Sequence, residues 1–415
     1  MLGRIEKTSD YTKFCESKLA DPYPLYTRLR SEDPVHYSER LQTWIVTRYD
    51  DVKSALGDDR LSSDKMAFYM NTMSPKDRND LDSLSQYMTR WMSMKDRPDH
   101  TRLRGLVNKA FTPKSLQDLL PEIQKICDDL VDNFISGNKK DLIEHIAYPL
   151  PATVICEMLG IPTEDQTQFR KWSNDIVAFS AGLGSMIGKV AQQAQTSQKA
   201  LVDYCQKIIA QRRQDPKNDL ISRLIAAEED GAQLTESELY SMCVQLFVAG
   251  QETTTNLIAN SVLTLIKNPE AFQLLRDDPE LITSAIDEFL RYESPVQRTS
   301  RVAKSDLEIR DKLIKEGQSV ILMFGSANRD PEQFPDPDQL ILDRTPNMHL
   351  AFGRGPHFCL GAPLARQEAK ITLTTILDKM PNIQSSSSHF QWRPVAGFRA
   401  LESLVVELPR DRADT

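Results

Sequence analysis

The sequence predicts a mainly α-helical protein with small, dispersed β-sheets. From His100 to Asp230 the apolar residues recur at helical spacing, broken at Pro113, Pro121, Pro162 and Pro216. A second helical pattern opens at the capping-box signature Thr235-x-x-Glu238 and runs without proline to Asn268-Pro269. Strand-like alternation is confined to short stretches near the two ends of the chain.

Taken in order, Pro34 to Thr47 alternates around a polar turn (Ser38 to Thr43) and reads as a hairpin; Asp50 and Asp51 open a short helix ending near Leu56. The long pattern after Thr235 spans about 33 residues, roughly 50 Å at 1.5 Å each, so it crosses the molecule with its middle buried. That middle reads Leu246-Phe247-Val248-Ala249-Gly250-Gln251-Glu252-Thr253-Thr254-Thr255. A glycine costs about 1 kcal/mol inside a helix, and an acid beside three threonines is poor core material. Local rules broken inside a buried element mark function, against the alternative of a solvated kink. Glu288 and Arg291 share a helix face at i,i+3, ordinarily a weak surface pair. Strands follow at Arg301 to Ile309 and Leu313 to Phe324, with a turn at Lys315-Glu316-Gly317. An ordered Pro- and Asp-rich loop covers Asn328 to Asp343, Ser385 to Ser388 reads as a solvated loop, and the last strands lie between Phe390 and Leu408.

The chain has 415 residues, 40% hydrophobic and 27% charged, with net charge −8. That is ordinary for a soluble globular protein and unlike a nucleic-acid binder. The polar N-terminus is no membrane anchor, and no apolar run reaches the ~18 residues of a spanning helix. The expectation is a cytoplasmic, bacterial-type protein.

Function is concentrated in Phe352-Gly353-Arg354-Gly355-Pro356-His357-Phe358-Cys359-Leu360-Gly361, just before the apolar helix pattern from Ala362 to Met380. A Gly-x-Gly loop folds tightly beneath a flat object. A cysteine at a helix N-terminus meets amide donors and the positive dipole end, which favour thiolate, the form of both a metal ligand and a nucleophile. Cys15, Cys127, Cys156, Cys205 and Cys243 read instead as small apolar residues. No Cys/His cluster has zinc spacing, and so few cysteines in so long a chain make no disulfide framework.

These features together resemble the cytochrome P450 family in its soluble bacterial form, over nearly the whole chain. Phe352 to Gly361 matches F-G-x-G-x-H-x-C-x-G, and Ala249 to Thr254 matches A-G-x-[D/E]-T-T. Glu288-x-x-Arg291 matches E-x-x-R, and His100 to Arg104 matches H-x-x-x-R, all in the family's order. The sequence departs from it at Gln339, where P-x-R-F usually has arginine, and at Arg97, where proline is common. The resemblance implies the P450 fold: one domain over 1–415, with a long central helix over the haem. Its β-rich part would cover about 30–60, 295–345 and 390–408, and its helical part about 100–292 and 362–380.

The resemblance further implies haem b, with Cys359 as thiolate ligand to iron, Phe352, Gly353 and Gly361 shaping the loop, and Ala249 and Gly250 beside the ring. His100, Arg104, Arg301 and His357 would hold the two propionates. Glu252 and Thr253 would deliver protons at the oxygen-binding face, with Gly250 opening a groove there, while Glu288 and Arg291 would be a structural ion pair. Phe68, Val244, Phe247, Val248, Val296 and Phe398 would contact substrate. No nucleotide-binding G-x-G-x-x-G follows a strand. Electrons would therefore come from a ferredoxin or flavodoxin-type donor with its reductase, docking near Arg102, Lys109, Arg354, Arg366 and Lys370. The implied reaction uses O2 to hydroxylate or epoxidise a medium-sized apolar molecule: a polyketide, terpenoid, steroid or fatty-acid-like compound. The competing readings are oxidative coupling or peroxide-driven oxidation, a non-catalytic haem carrier, and a cysteine-nucleophile enzyme using Cys359 and His357.

Overall fold

The structure, a computed structural model, describes residues 20–72, 75–138, 140–181, 189–227, 231–395 and 397–409; Cys15 lies outside the described residues. The first elements are α1 (Tyr23–Glu32), the hairpin of β1 (Val35–Ser38) and β2 (Thr43–Val46), α2 (Tyr49–Ala55) and β3 (Leu61–Ser62). A helical series follows: α3 (Lys65–Thr72), α4 (Pro75–Met88), α5 (Asp99–Ala110), α6 (Pro113–Ser136), α7 (Pro149–Leu159), α8 (Gln166–Ala181), α9 (Lys189–Gln214) and α10 (Leu220–Ala226). The long α11 (Glu236–Lys267) precedes α12 (Pro269–Asp277) and α13 (Ile282–Tyr292). Strands β4 (Arg298–Ala303), β5 (Leu307–Ile309), β6 (Lys312–Ile314) and β7 (Ser319–Met323) lead into the one-turn α14 (Phe324–Ala327). Last come α15 (Ala362–Lys379), β8 (Gln384–Ser385) and β9 (Val406–Glu407).

The main sheet has the order β1-β2-β7-β4-β3, antiparallel except for the β2–β7 pair. The expected hairpin and short helix are present. The strand expected from Arg301 to Ile309 is in fact two: β4 starts earlier, at Arg298, and a turn through Ser305 and Asp306 separates it from β5. Ser385 belongs to β8 rather than to a loop. The break expected at Pro121 does not occur, and α6 runs through it. Pro121 and Gln117 are both exposed, so the carbonyl that loses its donor is open to water, which lowers the cost of an interior proline.

Helix α11 is 32 residues long, and the capping box of Thr235 and Glu238 closes in both directions. It packs against α7, α9 and α15. Between Ser241 and Leu265 every residue is buried except Leu246, Ala249, Gly250 and Thr253. Burial on nearly all sides explains its weak amphipathic pattern. The missing side chain of Gly250 serves packing: a Cβ there would lie 3.3 Å from Ile155 of α7. The glycine lets two helices close up there.

Candidate active site

The cysteine loop is held by its own backbone. The Cys359 N–H donates to the Phe352 carbonyl at 2.9 Å, and Gly353 and Gly355 take φ of 69° and 72°, where a side chain would be strained. Gly361 begins α15, and the Gly361 and Ala362 amides donate to the Cys359 sulfur. Burial pushes the thiol up more than these donors, Arg104 and Arg366 pull it down. The amide donors favour thiolate as expected, and a bound metal cation adds to them against the cost of burial. His357, the nearest base in sequence, has Nε2 on Ser63 Oγ at 3.1 Å, and burial holds its pKa down to about 3. A nucleophile with a raised pKa and no available base is poorly activated.

Four expected cations gather here. His100 and His357 lie ring to ring at 4.1 Å. Arg104 donates to the Phe358 carbonyl at 2.9 Å, and its charge acts on both histidines. Arg301, 7% exposed, acts on His357 and donates to Thr299 Oγ1 and the Ser300 carbonyl. Burial lowers its pKa to about 10, only partly offset by Asp96. Among the described residues neither arginine has a salt bridge.

The four residues of α11 that escape burial form a stripe at i, i+3, i+4 and i+7 on one helix face. Within it, the Thr253 hydroxyl donates to the Ala249 carbonyl at 3.1 Å. Glu252 points off the stripe, and Arg393 Nη1 donates to its Oε1 at 2.6 Å. Thr254 bonds the carboxyl of Glu368 on α15, seven residues after Gly361. The cysteine loop and the acid–threonine motif are thereby tied together through adjacent helices. Burial raises the Glu368 carboxyl to about 8, and its Oε2 has no partner.

Glu288 and Arg291 are fully buried and bidentate, at 2.7 Å for both bonds, not a surface pair. Arg344 Nε is a further donor to Glu288 at 3.1 Å, and Gln339 contributes its backbone carbonyl to Arg291. The arginine missing at Gln339 is thus replaced in function by Arg344. Sequence reasoning missed Arg344, Arg393 and Glu368. Only Glu368 carried a signal, an acid at a core position of an apolar helix face.

The expected substrate residues divide. Val296 and Phe398 are brought together by an antiparallel bridge, and Val248 is buried in α11. Val244 and Phe247 are likewise buried, and Phe247 meets Phe169 of α8 edge-on at 4.8 Å. Phe68 packs over Gly317, whose Cβ would sit 3.5 Å from its ring, and against Tyr69. In the basic docking set, Arg102 is bound to Glu238, and Arg366 pairs with Asp287 at 2.8 Å while covering the Phe352 ring.

A soft donor, one buried and one half-buried arginine without salt bridges, and a narrow opening in a buried helix fit a metal macrocycle with two carboxylates. No group of three or more His, Cys, Asp or Glu among the described residues could hold a bare metal ion, and none of these helices is long and apolar enough to cross a membrane. The family model described as Cytochrome P450 matches residues 37–380. The polyketide biosynthesis cytochrome P450 PksS of Bacillus subtilis is 40% identical over 402 residues, covering 94% of this chain and 96% of that protein. The crystal structure of P450BioI in complex with a hexadec-9Z-enoic acid ligated acyl carrier protein superposes with TM-score 0.88 at 36% identity, covering 95% and 99%. CYP109E1 from Bacillus megaterium in complex with corticosterone gives TM-score 0.82 at 38% identity, covering 94% and 99%.

Proposed function

The chain belongs to the cytochrome P450 family, and from that premise we propose that Cys359 is the iron ligand of a monooxygenase acting on a medium-sized apolar compound. The family's cofactor is haem with a cysteine thiolate on iron, and its members use O2, electron-transfer partners and hydrophobic substrates. When bound, haem supplies the redox chemistry: O2, two electrons and two protons become one oxygen in the substrate and one water. The residues here do the rest. The Gly361 and Ala362 amides hold the sulfur and spread its charge. Arg104 and Arg301, with neutral His100 and His357 as donors, receive the propionates. Thr253 holds a water at the opening in α11, and Glu252, steadied by Arg393, passes protons toward it.

The substrate is a polyketide, terpenoid, steroid or fatty-acid-like molecule, resting on Val248, Val296 and Phe398; relatives whose names refer to polyketide biosynthesis, a fatty-acyl carrier and corticosterone support that range. The donor is a ferredoxin or flavodoxin with its reductase. The acid–threonine pair favours the O2 route over a peroxide-driven one. The observation that carries the assignment is the amide-bonded Cys359 beside arginines without acids. The reduced protein with carbon monoxide is expected to show the red-shifted band of thiolate-bound haem, and Cys359→His to lose it. The wild-type protein without that band would sink the assignment.

A further inference from the structure

We propose that Lys65 and Arg298 form a seat for the carboxylate of an otherwise apolar substrate, at the rim of the cleft and beyond the two carboxylates of haem. The inference rests on the haem assignment above and adds the chemistry of the substrate's far end.

Lys65 begins α3, which packs on β4. The segment before it is pinned at the cation cluster: Ser63 Oγ meets His357 Nε2, and the Lys65 N–H donates to the Ser63 carbonyl at 2.8 Å. Strand β3 pairs only with Val302 and Ala303, so the edge of β4 from Arg298 to Arg301 is uncovered on that side. Arg298 and Arg301, three residues apart, leave β4 on opposite faces, yet the charges of both act on the Lys65 ammonium beside the uncovered edge. Burial first, and then these two neighbours, bring it down to about 8.

The cluster has too few anions. Lys65, Arg104, Arg298 and Arg301 are four cations, while His100 and His357 are held toward the neutral form. Asp96 is the carboxylate in reach, and it is already taken by Ser62 Oγ at 2.6 Å and the Ser63 N–H at 2.9 Å, with Lys304 at 3.6 Å. Among the described residues the side chains of Lys65 and Arg298 have no hydrogen bond or ion pair. Two propionates satisfy Arg104 and Arg301 and leave two partly buried positive charges facing one another. Such an arrangement is unfavourable until an anion joins it. Both are only partly buried, so an anion can reach them from solvent.

The test uses the haem-loaded enzyme and two probes: a long alkanoic acid with a terminal imidazole, and the matching imidazole alkanol. Imidazole nitrogen binds haem iron and shifts its absorption whatever the natural substrate, so both probes report affinity. The acid is expected to bind about tenfold tighter than the alkanol. Lys65→Met and Arg298→Gln are each expected to abolish most of that preference while leaving alkanol affinity and haem content unchanged, and Lys65→Arg to preserve it. Equal affinities in the wild-type enzyme overturn the seat. So does a Lys65→Met protein that weakens both probes alike or loses haem, which would make Lys65 a propionate ligand. No spectral response to either probe removes the haem assignment itself, and the seat with it.

Discussion

Arg393 clamps Glu252: its Nη1 stands 2.6 Å from Oε1 of a carboxylate that is 5% exposed, while Asn256 approaches the same oxygen at 3.3 Å. The pair joins the middle of the central helix to the last irregular segment of the chain, 141 residues away. The same segment supplies Phe398, which bridges to Val296. A group proposed to move protons is therefore fixed by the segment that carries Phe398, a proposed substrate contact, so the proposed substrate placement and proton delivery share one support.

Removing Arg393 leaves a buried carboxylate without its partner, a change that typically costs about 3–5 kcal/mol. Arg393→Gln is expected to lower the melting temperature, and adding Glu252→Gln to restore most of it. Product formed per reducing equivalent is expected to fall in both variants. A double mutant that regains coupling along with stability would show that Glu252 only holds the fold.

Thr253 presents its hydroxyl at the opening in α11 and spends only its proton, on the Ala249 carbonyl, so its oxygen can still accept a bond from water. Thr253→Ala is expected to retain haem and substrate-induced spectral changes while product per electron pair falls about tenfold or more and peroxide rises correspondingly. Unchanged coupling would remove Thr253 from proton delivery.

The long helix, its capping box and the interrupted middle were legible because each is a local pattern of neighbouring residues. The cysteine loop was legible for the same reason: Gly353 and Gly355 stand where positive φ excludes other residues. What escaped was tertiary. Arg393 and Arg344 find Glu252 and Glu288 only when distant loops close on them, and nothing in their own neighbourhoods marks them. Helical spacing likewise gives the faces of α11 but not the partner that meets each, such as Phe169 against Phe247. At Cys359 the helix end was visible in sequence, whereas the burial that opposes it was not.

Glu288 accepts from Arg291, Arg344, Asn347 and the Ile341 N–H, and nothing in that network reaches solvent through Glu288 or Arg291. Glu288→Gln leaves two guanidinium groups without their counter-charge, and a loss of about 3–5 kcal/mol is expected. Arg344→Gln is expected to lose less, since Arg291 keeps its bidentate contact. Thermal melts and haem content of the purified proteins check the order. Equal stability of both variants with wild type would show that the loop from Asn328 to Asp343 is held by other contacts.

Glu368 makes stability depend on pH in a direction opposite to that of a salt-bridged acid. Burial lifts its carboxyl from the ordinary 4.5 to about 8 in the folded chain, and the Thr254 hydroxyl offsets only part of that. Between those values the folded state keeps a proton that the unfolded state has released. Stability from this group therefore falls as pH rises from about 4.5 to about 8 and levels off above, by about 1.4 kcal/mol for each pH step. Glu368→Gln keeps the shape and the contact with Thr254 without a charge to bury. The variant is expected to match wild type near pH 5 and to exceed it by a few kcal/mol near pH 9, read from denaturant midpoints across that range. A gap that stays constant with pH would mean that Glu368 is ionised throughout and that its buried charge finds compensation elsewhere.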